Sequence, residues 1–373
     1  MMLSNQAMGI IFSNSHDDLI RELTEIRSMG SIPFGGRYRL IDFPLSNLVN
    51  AGISKVGIIT RSNYQSLMDH LGNGKPWDLD RKKGGLYILP PYGNVDSGVY
   101  VGPVDALAGI MNFLERSSET YVVICDSDVV CNIDLTPMME AHIEKHADVT
   151  IAYKHGLLPK NHRDIMSFAF NDSGRVKDIE LSQKIDGACD FSLDIMIIER
   201  ELLIRLVKEA TARNQTSLGR DIFQHRVDDL RIFGWRVDDY AAVMDCIATY
   251  VQCSMDLLDP DVRAQLFTRE RPIYTKTRDD MPTKYGLGSL VKNSVIADGC
   301  FIEGSVENCV LFRGVHVQKG AELRNCIIMQ DSVIGENARI SYVTTDKDVQ
   351  VTAGRVLTGA ASYPIFIRKR TTV

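Results

Sequence analysis

The sequence predicts a two-part chain, a parallel α/β sheet domain followed by a parallel β-helix of hexapeptide repeats. Short apolar runs alternate with longer amphipathic ones through about the first 250 residues, the pattern of strands separated by helices. Beyond a Pro-punctuated stretch the sequence repeats itself at an offset of 17 residues. These shifts divide the chain into residues 1–258, a linker at 259–286, and a repeat domain at 287–373.

In the first part, Gly57-Ile58-Ile59 and Tyr121-Val122-Val123-Ile124-Cys125 read as strands buried on both faces, as a parallel sheet requires. Thr136 to Lys145 and Glu199 to Glu209 read as helices, the second with Leu202, Leu203 and Leu206 on one face. Such a sheet places its ligands at the carboxyl ends of its strands. Asp259-Pro260, Pro272 and Pro282 then mark a stretch with little periodicity, expected as loop.

In the repeats, Glu307–Leu323 lies over Arg324–Ile340. Asn308 meets Asn325, Cys309 meets Cys326, Val317 meets Ile334, and Leu323 meets Ile340. An earlier copy, Lys292–Val306, is two residues shorter, and a weaker one runs from Ser341 to Leu357. Aliphatics recur about every six residues, so three short strands per coil stack into one apolar column. The stacked cysteines read as core thiols rather than a disulfide.

Composition narrows the function. With 42 Lys+Arg against 48 Asp+Glu the formal net charge is −6, which offers no basic footprint for nucleic acid and no polybasic membrane patch. No apolar run approaches the roughly 20 residues that cross a bilayer. Ser4, Asn5 and Gln6 follow the first three residues where a signal peptide would need charge and then apolarity, so a cytoplasmic protein is expected. Eight Cys without a CxxC pair are neither a disulfide framework nor a metal site.

The densest segment is Ile32-Pro33-Phe34-Gly35-Gly36-Arg37-Tyr38-Arg39-Leu40-Ile41-Asp42-Phe43-Pro44-Leu45-Ser46-Asn47. It resembles the PFGG-x-YRxIDFPLSN signature of bacterial ADP-glucose pyrophosphorylases (glucose-1-phosphate adenylyltransferases). The similarity continues at Gly74–Arg81, Gly85–Tyr92, His142–Ile151, Val291–Ser294 and Glu307–Phe312, and spans about residues 8 to 340. The resemblance implies a Rossmann-like (GT-A-like) nucleotidyltransferase domain and a left-handed β-helix. It also implies a reaction that joins ATP and glucose 1-phosphate into ADP-glucose and pyrophosphate with Mg²⁺. Carried over position by position, Gly35, Gly36, Arg39, Asp105 and Ser192 are the candidate substrate-binding residues. Arg37 and Arg39 either face the site or pair with Asp42 to hold the turn.

Against that pattern, the substrate-handling motifs are degraded. The family's glycine-rich GGxGxRL loop falls on Asn14-Ser15-His16-Asp17-Asp18-Leu19-Ile20, and its following Lys on Met29. Acidic groups facing a triphosphate repel it by roughly 1 kcal/mol each or more unless a metal intervenes. His16 is expected as a solvated loop residue. The family's catalytic, metal-binding Asp falls on Asp128, with Asp126 two positions before it, while the second metal carboxylate is replaced by Val243. Asp245 follows two residues later, about 6.5 Å further along a strand. RGTADA becomes Val101–Ala106, losing its Arg and its Thr and keeping the Asp at Asp105. Leu181-Ser182-Gln183-Lys184 stands near the missing Glu-Lys-Pro, and Ser-Met-Gly becomes Ser192-Leu193-Asp194.

Intact scaffold signatures with dismantled substrate motifs resemble the D-type subunit of glycogen-synthesis ADP-glucose pyrophosphorylases, as does the tail Tyr363–Arg370. That subunit accompanies a catalytic one in a hetero-oligomer, expected as a heterotetramer. The resemblance implies no cofactor in this chain, Mg²⁺ belonging to the catalytic partner, and neither nucleic acid nor membrane as partner. The alternatives are an autonomous weak adenylyltransferase and a sugar-phosphate sensor or scaffold without turnover.

Overall fold

The computed structural model describes residues 6–91, 100–159, 161, 165–181 and 187–373. Its first part is built on strands β1 (Ala7–Phe12), β2 (Lys55–Ile59), β3 (Gly85–Leu89), β4 (Tyr121–Asp126), β5 (Val129–Cys131), β6 (Val149–Leu157), β7 (Ser167–Phe170), β8 (Val176–Glu180), β9 (Ala188–Glu199), β10 (Ile232–Arg236) and β11 (Ala241–Val243). Nine of them form one mixed sheet with the path β8-β7-β9-β4-β1-β2-β3, β6 pairing with β9 and β10. The centre is parallel: Ile10 of β1 pairs with Gly57 of β2 and Ile124 of β4. Every residue of β1 is buried, because helices cover both faces.

Helix Asp42–Asn50 packs so closely on β1 that a Cβ on Gly9 would lie 2.6 Å from Leu48 Cδ1. Helix Arg200–Thr211 covers the opposite face with Leu202, Leu203, Leu206 and Val207. Each such side chain contributes about 1.5–3 kcal/mol by leaving water. The segments read from sequence as strands and helices stand where expected, helix Leu135–Glu144 beginning one residue early behind an Asp134 cap.

The C-terminal domain is a left-handed β-helix of three five-stranded parallel sheets. The 17-residue offset is its coil: Val310 pairs with Ile327, Val317 with Ile334, and Leu323 with Ile340. The earlier coil is shorter by two, Val295 pairing with Val310. Corner residues Asn293, Asn308 and Asn325 all have φ between 43° and 52°, the left-handed region Asn tolerates best after Gly. Cys309 and Cys326 are buried, unbridged thiols of the column.

Within 259–286, Pro260–Leu266 is helical and Lys284–Tyr285 already pairs with Phe301–Ile302. One apolar cluster joins Phe34, Phe43 and Tyr250 of the first part to Val310, Phe312 and Ile327 of the β-helix. Among the described residues, no helix is long and apolar enough to cross a membrane.

Candidate functional site

At the carboxyl ends of β1, β2 and β4 lies a cavity of about 640 Å³. The loop after β1 supplies Asn14 to Leu19, the loop after β2 Arg61 and Ser62, and the end of β4 Asp126; Asp194, Met196 and Leu218–Arg220 close the far side. This is the ligand position of an open parallel sheet.

The loop after β1 is held shut by its own side chains. Asn14 Nδ2 donates to Asp17 Oδ2 at 2.6 Å and to the Ser62 carbonyl at 3.1 Å. Arg61 N donates to Asn14 Oδ1 at 3.0 Å, and Met29 N to Asp17 Oδ1 at 2.7 Å. The Asp17 carboxylate therefore takes a backbone amide at the position of the family's lysine. Burial raises its pKa to about 6, against the Asn14 and Met29 hydrogen bonds.

His16 is not simply solvated. Its Nδ1 lies 2.8 Å from Asp128 Oδ2 and 3.7 Å from Asp126 Oδ2. Burial pushes the imidazole down, but the Asp128 and Asp126 carboxylates outweigh it and hold the pKa up at about 10. Burial and the Asp128 charge push Asp126 up to about 7, while Asp126 Oδ1 also accepts from Ser127 N at 2.6 Å. Among the described residues, His16, Asp126 and Asp128 form the one convergent group of three or more metal-type side chains, their ligand atoms within 4.8 Å.

The second metal position is apolar. Val243 pairs with Val129, next to Asp128, and joins the hydrophobic cluster with Val129 and Ile195. Asp245, buried nearby in sequence, is committed elsewhere: it accepts from Asn161 N at 3.0 Å and from the Thr249 hydroxyl at the start of helix Ile247–Asp256. Mg²⁺ demands near-octahedral oxygen ligands and keeps several waters. An imidazole nitrogen 2.8 Å from one carboxylate, a valine and an engaged aspartate do not fit it.

The other sequence candidates scatter. Gly35 and Gly36 adopt φ of +58° and +82° and do not line the cavity; a Cβ on Gly36 would meet Ala297 and the Leu311 carbonyl at 3.4 Å, so the turn packs on the β-helix. Arg39 N donates to Asp42 Oδ2 at 2.9 Å while its guanidinium reaches Ser66. Arg37 is exposed beside the Tyr38 ring. Asp105 sits in the first turn of helix Pro103–Gly109, with Val101 N 3.3 Å away, and is not in the cavity lining. Ser192 is buried beneath the cavity and donates to Asp194 Oδ1 at 2.9 Å. Ser182, Gln183, Lys184 and Tyr92 lie outside the described residues.

Sequence reasoning thus missed His16 as a partner of Asp128, and Arg61 and Arg220 as the basic groups of the lining. The available signal was position: all three were open to consideration as polar residues beside strand ends or apolar segments. Against those groups the lining sets Asp17, Asp18, Asp126 and Asp194.

Comparison with known proteins agrees with the two-part fold. The nucleotidyl transferase family matches residues 17–175, and the GlmU-like C-terminal hexapeptide family matches residues 281–360. The chain is 38% identical over 369 residues to the glycogen biosynthesis protein GlgD of Bacillus subtilis (strain 168), covering 99% of this chain and 97% of that one. It is 40% identical to GlgD of Geobacillus stearothermophilus, over 86% of this chain and 83% of the relative. It is also 33% identical to the glucose-1-phosphate adenylyltransferase of Clostridium botulinum (strain Alaska E43 / Type E3), over 94% of this chain and 97% of that enzyme. The chain belongs to the bacterial glucose-1-phosphate adenylyltransferase (ADP-glucose pyrophosphorylase) family and resembles its GlgD members.

Proposed function

We propose that this chain is a regulatory subunit of a glycogen-synthesis glucose-1-phosphate adenylyltransferase, inactive or nearly so alone, that activates a catalytic partner in a cytoplasmic hetero-oligomer. The observation that carries the reading is the loop after β1. Where bare amides and cations should receive a triphosphate, it presents His16, Asp17 and Asp18, with His16 on Asp128 and Asp17 on Met29 N. Transition-state charge on a transferring phosphoryl group needs cations aimed at it, and here four carboxylates share the lining. The chain holds no Mg²⁺ of its own; the catalytic subunit supplies it.

Activation follows from linkage. A subunit that contacts the active conformation of its partner more favourably shifts the partner's equilibrium by that differential affinity. The intact β-helix and the apolar cluster that joins it to the first domain supply a scaffold for such contacts.

The test co-expresses the chain with the catalytic subunit from the same genome. The two should co-purify, and Asp128→Asn in this chain should leave the activity of the complex within about twofold. A large loss on that substitution would mean that this chain performs chemistry, the weak autonomous adenylyltransferase reading. Failure to associate would leave a sugar-phosphate sensor acting by itself.

A further inference from the structure

We propose that His16 replaces a divalent metal ion on Asp126 and Asp128, so that the nucleotidyltransferase cavity of this chain is closed to metal. The inference deepens the regulatory-subunit reading and rests on it for its meaning, while its test uses neither substrate nor partner, so the two can fail separately.

The argument is geometric. Nδ1 of His16 stands 2.8 Å from Asp128 Oδ2, so the imidazole fills the space beside that carboxylate where an ion would have to sit. The imidazole and a metal ion compete for the same face of the carboxylate. Asp126 Oδ2, at 3.7 Å from the same nitrogen, is turned toward the ring as well, and its other oxygen holds Ser127 N. The ring therefore sits at the point where the two carboxylates converge.

Two further losses remove any easy alternative. Val243 fills the neighbouring strand position with an apolar side chain packed against Val129. Asp245 is held by Asn161 N and Thr249 at the start of the next helix, and so does not join the convergent group. The loop that carries His16 is itself fixed, since Asn14 and Asp17 tie it to Arg61 N, Ser62 O and Met29 N. An incoming ion would have to displace the imidazole from Asp128. A hard cation that sheds water reluctantly gains too little from the one remaining carboxylate pair to do so.

Metal binding by the purified full chain, followed with Mn²⁺ by electron paramagnetic resonance and with Zn²⁺ by calorimetry, tests this directly. The native chain should show no site for either ion tighter than about 1 mM. His16→Ala should create a Mn²⁺ site at least tenfold tighter, and adding Val243→Asp should tighten it further. Asp128→Asn in the His16→Ala background should abolish the gain. Circular dichroism confirms that each variant is folded, and His16→Ala alone decides the matter if the buried Val243→Asp change prevents folding. A native chain that binds Mn²⁺ or Zn²⁺ within twofold of the His16→Ala variant would overturn the proposal. So would a folded His16→Ala variant that gains no affinity.

Discussion

Arg27 and Asp346 meet across the joint between the two domains: Arg27 Nη2 lies 2.9 and 2.8 Å from the two carboxylate oxygens of Asp346, and both side chains are almost wholly buried. Around this pair the two parts share one core. The Tyr250 hydroxyl donates to the Pro33 carbonyl at 2.7 Å, and the Gly35-Gly36 turn lies on Ala297 and Leu311. Burial, with Arg39 and Arg27 nearby, lowers the Lys347 pKa to about 7 despite Asp346. The signature that the sequence keeps whole therefore packs at the joint between the two parts. Its retention beside dismantled substrate motifs has a structural reason.

A buried ion pair is costly to break from one side, because the survivor is left charged in a low dielectric. Arg27→Ala should reduce unfolding free energy by about 3–5 kcal/mol. The double change Arg27→Met with Asp346→Leu should lose much less. Guanidinium denaturation of the three proteins measures both.

Gly36 has φ of +82° and faces the Leu311 carbonyl, so a side chain there is strained and crowded together. Gly36→Ala should destabilise by about 1–3 kcal/mol. Gly109, at the end of helix Pro103–Gly109, has open space around its missing Cβ and no left-handed φ. Gly109→Ala should be neutral or stabilise by about 0.4–1 kcal/mol, read from the same denaturation curves.

His142 gives stability a pH dependence of known sign. Burial lowers its pKa to about 4, with Asp148 opposing, and Nδ1 lies 2.8 Å from the Thr150 hydroxyl. Between pH 4 and 6.5 the unfolded imidazole takes up a proton that the folded one refuses. Stability from this group is present above pH 6.5 and lost as pH falls toward 4, by up to about 3 kcal/mol. His142→Gln should flatten the difference in melting temperature between pH 7 and pH 4.5.

The eight thiols are free, and burial holds that of Cys309 well above its ordinary value. In the native protein Cys309 and Cys326 should not react with a thiol reagent such as Ellman's, and all eight should react once unfolded. A count below eight after unfolding would reveal a disulfide.

The β-helix was legible because its information is periodic: pairs such as Val317 with Ile334 follow from one offset. The last coil reads more weakly because Tyr342 takes the left-handed corner that Asn308 and Asn325 hold earlier. Helix Pro260–Leu266 was passed over although its signals were present. Asp259 Oδ1 accepts from Asp261 N at 2.8 Å, an N-cap followed by Pro at the first helical position, and the dipeptide read as a turn instead. The loss of a phosphate loop was visible once the family's glycine-rich motif was laid over Asn14–Ile20. That His16 would turn onto Asp128 was not, since the two meet only through the parallel pairing of β1 with β4. Likewise Gly36 touches the β-helix through tertiary packing that no local pattern encodes.

Pyrophosphate release, assayed with ATP, glucose 1-phosphate and Mg²⁺, puts the central claim to its most direct test. The purified chain alone should turn over at background rate, and adding it to the catalytic subunit should raise that subunit's rate severalfold. Turnover by the isolated chain at the rate of an ordinary family enzyme would contradict the account.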